Sequence, residues 1–365
     1  MEQEKLFWFW LCNIPQIGRK TIAHLLEHFD TPKEIFYANK EQLEGLFTEK
    51  SKKKQKLIES RNLAEVEKSY NQMLKNGIHF VCLPETAYPD KLRHIPDKPI
   101  GIFFRGNLPK AEIPCVAVVG ARDASRESIQ LARKFGRELA ENGIQVISGM
   151  ARGIDISAQR GVLATVRGRT YSALGTGIDI CYPRQHIEEF MQMQEYGGVF
   201  TEFPMKTPPL PYQFPMRNRL ISAFADGILV IEAREKSGSL ITAELGLEQG
   251  KDIFVIPGKI TDTSYAGSNK LIQNGACLVT KTKDILDGLG LFFDEDVVER
   301  KKKSKEMLET TEEIVYAILS LEPIHVAQII EETGLELSDV LQCMASLQEK
   351  NLVQVVGNNY YIIKL

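Results

Sequence analysis

Between residues 115 and 280 the chain repeats a pattern that few folds can satisfy. Short apolar runs of strand length, CVAVVGA, IQVISGM, RTYSALG, GGVFTEF, GILVIEA, DIFVIPG and CLVTK, alternate with segments of helical spacing. Near-continuous apolar runs suit strands covered on both faces. The segment SRESIQLARKFGRELAENG, opening on the cap candidate Ser125 and closing on Gly143, reads as one of the covering helices. This alternation predicts an α/β fold, an extended Rossmann-like, doubly wound and mainly parallel sheet. In such sheets ligands bind beyond the carboxyl ends of the strands. Those ends fall at Gly120, Gly149, Gly175, Glu202, Glu232 and Gly258.

The flanks differ in pattern. Residues 1–76 are helical, and IPQIGRKTIAHLL places a Pro and Gly turn between two apolar stretches, which predicts a small helix-hairpin-helix or SAM-like domain. Residues 77–290 hold the sheet. The charged stretch 291–307 reads as a solvated linker. Residues 308–365 give three helices and a hairpin around Gly357, Asn358 and Asn359, the outline of a winged helix.

A formal charge of −3 supplies no global basic field, so contact with nucleic acid requires a local patch. The six cysteines form no CxxC pair, which argues against a disulfide framework or zinc ribbon and fits a reducing cytoplasm. The apolar LFWFWLC is too short and badly flanked for a membrane span or signal.

Several strand ends are built for anions. GARDAS offers Gly120 and the cation Arg122 at a strand-to-helix turn, and SGMARGID repeats the device with Gly149, Arg152 and Gly153. Asp155 could cap the following helix or orient an arginine. SGSLITAELG places Ser237, Gly238 and Ser239 at a helix start, and GSNKLIQNGA adds Lys270. In FPMRNR, Phe214, Arg217, Asn218 and Arg219 open the helix before GILVIEA. They should face the opposite rim unless the proline-rich loop 204–215, which carries Lys206, folds them back. The alternative is that the arginines pair with Glu202 or Glu232. GTGIDI lacks the third glycine of a dinucleotide fingerprint, and no GxxxxGK[ST] exists. No nucleophile and base pair or carboxylate dyad stands out, so the expectation is a phosphate groove without catalysis or cofactor. HLLEH, His24 to His28, has zincin-like spacing but is expected to be surface histidines rather than a metal site.

In this order and spacing, VAVVGARDAS, ISGMARGIDISAQRG, ALGTGIDICYP, TEFP, FPMRNRLIS, VIEAREKSGSLITAELG, VIPG and GSNKLIQNGA resemble the DprA (Smf) family of DNA-processing proteins. The resemblance implies a single-stranded DNA-binding recombination mediator that dimerises, protects incoming DNA and loads the RecA recombinase in transformation and recombination. It places DNA contacts on Arg122, Lys206, Arg217, Arg219 and Ser237 to Ser239. The chain departs from the family pattern at Gln159, His186 and Gln16. A rival resemblance, to phosphoribohydrolases of related fold, would make Glu244 a catalytic acid; another reads the last domain as a duplex-operator reader.

Overall fold

A computed structural model describes residues 2–15, 17–47, 51–291, 310–320, 323–350, 352–357 and 359–363. The chain divides into two compact units, Met1–Leu289 and Gly290–Leu365. From residue 292 the expected linker lies outside the described residues, as do Gln16 and Asn358.

The first unit opens with helices α1 (Glu2–Asn13), α2 (Arg19–Leu26), α3 (Pro32–Tyr37), α4 (Lys40–Leu43), α5 (Lys52–Glu59) and α6 (Leu63–Lys75). Strand β1 (His79–Cys82), α7 (Asp90–Arg93) and β2 (Gly101–Gly106) follow. The alternating region then runs β3 (Cys115–Gly120), α8 (Arg126–Glu141), β4 (Gln145–Ser148), α9 (Ile154–Leu163), β5 (Thr170–Ala173), α10 (Ile187–Glu195), β6 (Gly197–Thr201) and α11 (Gln213–Phe224). It ends with β7 (Gly227–Ile231), α12 (Gly238–Glu248), β8 (Asp252–Val255), α13 (Ala266–Gln273), β9 (Cys277–Leu278) and α14 (Thr282–Gly288).

Strands β1 to β9 join one nine-stranded sheet in the order β1-β2-β6-β5-β4-β3-β7-β8-β9. The apolar runs of the sequence are β3 to β9, and every pair among them is parallel. The chain steps outward from β3 to β6, then returns to lay β7 on the other side of β3. That reversal opens a crevice at the carboxyl rim. Two strands were not expected: β1 and β2 add antiparallel to the β6 edge.

Alternation along β3 explains the two-sided core. Cys115, Ala117 and Val119 share a cluster with Leu220 and Phe224 of α11 and Ala243 of α12. Val116 and Val118 point the opposite way and are also fully buried. The LFWFWLC run forms most of α1, and its Phe9 ring meets Phe80 and Phe103 at 5.7 and 6.1 Å. One apolar cluster therefore runs from the N-terminal helices onto β1 and β2. Among the described residues no helix is long and apolar enough to cross a membrane.

The second unit has helices α15 (Thr310–Ile318), α16 (Val326–Thr333) and α17 (Leu337–Glu349), with β10 (Ile324–His325), β11 (Val353–Gly357) and β12 (Tyr360–Ile363). Its strands are antiparallel in the order β10-β12-β11. Val315, Leu319, Ile329, Val340, Met344, Leu347 and Tyr361 fill its core.

Helices α8 and α9 touch backbone to backbone. A methyl group at Gly136 would overlap the Ala158 carbonyl, and one at Gly161 would overlap the Arg133 carbonyl. Gly136→Ala should therefore cost about 1–3 kcal/mol by overpacking, read as a fall in the urea midpoint. Gly143 has φ +74° with open space around it, so Gly143→Asn should shift the midpoint far less.

Candidate nucleic-acid interface

A helix joining two parallel strands runs antiparallel to them, so its N-terminus lies at the carboxyl rim. The start of α11 therefore sits on the ligand side by topology alone, and no folding back by the proline-rich loop is needed. That corrects the expectation that its arginines face the other rim. The loop instead docks on the end of β5: Thr207 O accepts from Gly177 N at 3.0 Å, and Asp179 Oδ1 accepts from Lys206 N at 2.8 Å. Lys206 holds φ +64° and keeps its side chain exposed.

Arg219 does not reach the crevice. It is 5% exposed and forms a two-pronged ion pair with Glu202, Nη1 to Oε1 at 2.5 Å and Nη2 to Oε2 at 2.7 Å. Its Nε donates to Asp97 O at 2.9 Å. The geometry satisfies the charge inside the chain, so Arg219 leaves the set of phosphate contacts. The pairing alternative holds for this residue, with Glu202 as the partner.

Arg217 is also buried, at 3% exposure, but lies directly beneath the crevice. Its Nη1 donates to Gly149 O at 3.0 Å and to Ala173 O, at the carboxyl ends of β4 and β5. Asp155 accepts from Gly149 N at 3.1 Å and is the carboxylate that offsets the arginine's charge. Burial pushes Arg217 down to about 10; Asp155 opposes that shift, and nearby Arg122 adds to it. Burial likewise raises Asp155, against the pull of Arg217. Gly149 has no room for a side chain, because a methyl group would meet the Arg217 guanidinium and the Asp155 carboxylate. Arg217 is thus a floor residue that ties two strand ends together.

The expected bare amides are largely taken. Glu232, 1% exposed with φ +53°, accepts from Ser125 N at 2.9 Å through its carboxylate. Ser125 Oγ then accepts from Ser128 N at 3.2 Å and caps α8. Asp155 occupies the Gly149 amide, and Ser237 Oγ accepts from Ser239 N at 3.4 Å. Gly120 and Gly153 serve close packing. A methyl group on Gly120 would strike the Ile231 carbonyl, and one on Gly153, at φ +77°, the carbonyls of Ala121 and Arg122.

What remains open is a group of side chains. The Arg122 guanidinium is exposed and lies 5.7 Å from the centre of the Phe214 ring. Phe214 lies over Gly175, where a methyl group would hit the ring. Tyr182, 45% exposed, stacks against Phe214 with centroids 5.4 Å apart and planes tilted by 38°. Asn218 Nδ2 donates to Gly238 O at 3.4 Å, linking this group to the start of α12. Arg152 stands exposed at the neighbouring turn, 3.8 Å from Asp123. Exposed Arg234 and Lys236 lie in the turn after β7.

Sequence reasoning passed over Tyr182, Arg234 and Lys236; an aromatic residue and two cations in strand-end loops were the available signal. Lys270 is exposed on α13, and no bond among the described residues joins it to the Arg122 group. The rest of its motif is structural: Ser268 Oγ accepts from Ala233 N at 2.7 Å, and Asn269 clasps both backbone groups of Gly258.

Two of the departures from the family pattern, Gln159 and His186, are buried. Gln159 donates to Tyr171 O and Ser172 Oγ, and His186 Nδ1 donates to Met150 O at 3.0 Å. His24, Glu27 and His28 are exposed, with ligand atoms within 4.8 Å of one another. His28 Nδ1 is engaged with His24 O at 2.9 Å.

Two predictions separate floor from surface. Glu202→Gln leaves the buried Arg219 charge without its counterion and should cost about 3–5 kcal/mol in chemical denaturation, whereas Arg122→Ala should stay within about 0.5 kcal/mol. For His186, burial lowers the folded pKa, so the unfolded chain takes up the proton first as pH falls. Its contribution to stability is complete above the unfolded value of about 6.5 and is lost as pH drops toward the lowered folded value. His186→Asn should flatten the stability curve just below that pH, measured by denaturation at stepped pH.

The family model described as DNA recombination-mediator protein A matches residues 79–290. Protein Smf of Escherichia coli is 40% identical over 212 residues, 58% of this chain and 56% of that protein, so the chain spans just over half of that relative's length. An X-ray structure of DNA processing protein A from Streptococcus pneumoniae superposes with a TM-score of 0.64 at 29% identity, over 79% of this chain and 98% of that one. DNA processing protein A from Helicobacter pylori, described in terms of its single-stranded DNA binding mode, superposes at 0.51 with 26% identity, over 58% and 95%.

Proposed function

The chain belongs to the DNA recombination-mediator protein A family, and from that premise we propose that it binds single-stranded DNA along the carboxyl rim of its sheet and loads the RecA recombinase onto the bound strand. The work this serves is recombination, including that of DNA taken up in transformation. The observation that carries the reading is the Arg122, Phe214 and Tyr182 group. An exposed cation beside an open aromatic pair offers one partner for a phosphate and another for a base. Neither contact reads base identity, so binding should show weak sequence preference and strong salt dependence.

Arg152, Lys206, Arg234 and Lys236 extend the positive character around this group, Asn218 offers an amide, and Ser237 and Gly238 border it. The buried charge of Arg217 adds a field from below. The H. pylori relative, whose printed description concerns single-stranded DNA, supports the same ligand class. We assign the first 76 residues as a helix-hairpin-helix or SAM-like domain. The three helices and three-stranded sheet of the second unit are assigned as a winged helix that serves partner contacts, because the outer part of α17 is acidic and Lys350 is occupied by Glu312 at 2.6 Å. A homodimer acting in the cytoplasm completes the assignment.

The test is a salt titration of binding to single-stranded oligonucleotides. Arg122→Ala should lower affinity across sequences and reduce the log–log salt slope by about 0.7. Phe214→Ala should lose about 1–3 kcal/mol with the slope unchanged, as expected for a stacked base. Folded variants that bind like the parent would reject this site.

A further inference from the structure

Helix α8 divides its surface sharply. Ser128, Ala132, Phe135, Gly136, Leu139 and Ala140 are buried. Arg126, Gln130, Arg133, Lys134 and Arg137 are exposed, and with 3.6 residues per turn these five fall within a strip about 100° wide. Glu127 and Glu138 lie to one side of it. The strip begins four residues after Arg122, at the start of the helix past the Ser125 cap, and runs about 16 Å at 1.5 Å per residue.

Its charges are available. Lys134 approaches half-buried Glu138, which also accepts from Thr282 Oγ1 at 2.6 Å, at 3.9 Å, and Arg137 approaches exposed Glu141 at 3.8 Å. Loose pairs of this kind contribute little and open to a competing anion. Arg133 makes no ion pair among the described residues. Below the strip the close approach at Gly136 and Gly161 leaves a recess of about 260 Å³, lined by Gln130, Arg133, Lys134, Arg137, Gly161 and Ala164.

We propose that α8 is a second phosphate track, along which a single strand held at Arg122 continues past Arg126 to the recess at Arg133, Lys134 and Arg137. The inference rests on the proposed single-stranded DNA reading and adds to it a path and a length dependence. Three features favour a nucleic-acid backbone over an acidic peptide. The cations are in line, they continue from the Arg122 turn, and the recess is lined by no aromatic or branched apolar side chain that could anchor a peptide. A polyanion with regularly spaced charges matches such a row.

The experiment compares two single-stranded oligonucleotides, of about 6 and about 16 nucleotides, within the range of site sizes seen for single-strand binders. The proteins are the full-length chain and its Arg133→Gln/Arg137→Gln variant. The variant should bind the short strand like the parent. It should bind the long one about tenfold more weakly at low salt, with the salt slope reduced by about 1.4, or 0.7 for each of the two lost contacts. Arg133→Lys/Arg137→Lys should restore the long-strand affinity. Equal binding of the long strand by variant and parent, or an equal loss for both lengths, would overturn the track while leaving the Arg122 site standing. If the parent binds neither strand, the single-stranded DNA reading itself fails. These side chains are exposed, and an unchanged unfolding midpoint will show that the variants fold.

Discussion

The buried guanidinium of Arg217 is the constraint on which the carboxyl rim depends. A charge at 3% exposure is tolerable only if its donors are satisfied. The chain meets that demand with the carbonyls of Gly149 and Ala173, at the ends of two neighbouring strands, and with the Asn218 side-chain oxygen, while the charge of Asp155 offsets that of the guanidinium. One side chain thereby fixes the relative height of β4, β5 and α9. It also explains why Gly149 must be glycine. Arg219, two residues on, points away from Arg217 and closes on Glu202, which anchors α11 to the end of β6 and, through Asp97, to the segment before β2. With both arginines spent on holding α11 in place, the helix presents Phe214 and Asn218 at a defined position over the crevice.

This arrangement changes the character of the interface. A groove of bare amides would select compact anions by direction and distance. Here Glu232, Asp155 and Ser237 already hold the amides in question, so the rim is closed to that mode of binding at those points. The open elements are long exposed cations and flat rings, which tolerate variation in the position of a phosphate or base. Such a surface suits a ligand whose conformation varies and whose charge repeats. The internal carboxylates also moderate the field, since Asp155 offsets Arg217 and Asp123 lies near Arg152. Positive charge is therefore spread over several exposed side chains rather than gathered at one point.

Much of this was legible before the structure, for identifiable reasons. The parallel strands β3 to β9 were visible because strands buried on both faces must be apolar throughout, and the cap at Ser125 because a hydroxyl before a helical run has few other roles. Asp155 was legible only as a helix cap or an arginine's orienter, and its charge falls beside Arg217 with no side-chain cap bond at the start of α9. The strands β1 and β2 were missed because they precede the strand and helix alternation and join the sheet antiparallel, through the long-range β2 and β6 contact. Local pattern does not encode that pairing. The fate of Arg219 turned on which of two glutamates lay within reach, which is a matter of helix rotation. Tyr182 was missed because its importance comes from the ring of Phe214, distant in sequence and adjacent only in the fold.

Helix α8 shows how packing and exposed charge divide one element between them. Its inner face carries glycine at the crossing with α9, which lets the two backbones approach and holds α8 close against the sheet. Its outer face is then left free of packing duties, and the cations there have no internal carboxylate fixed upon them as Glu202 is on Arg219. Burial decides the difference. A guanidinium removed from water must find its counterion within the chain, while one left in water keeps a loose partner that an external anion can displace. The same residue type thus builds the floor at Arg217, locks α11 at Arg219 and leaves exposed charge at Arg122 and Arg133.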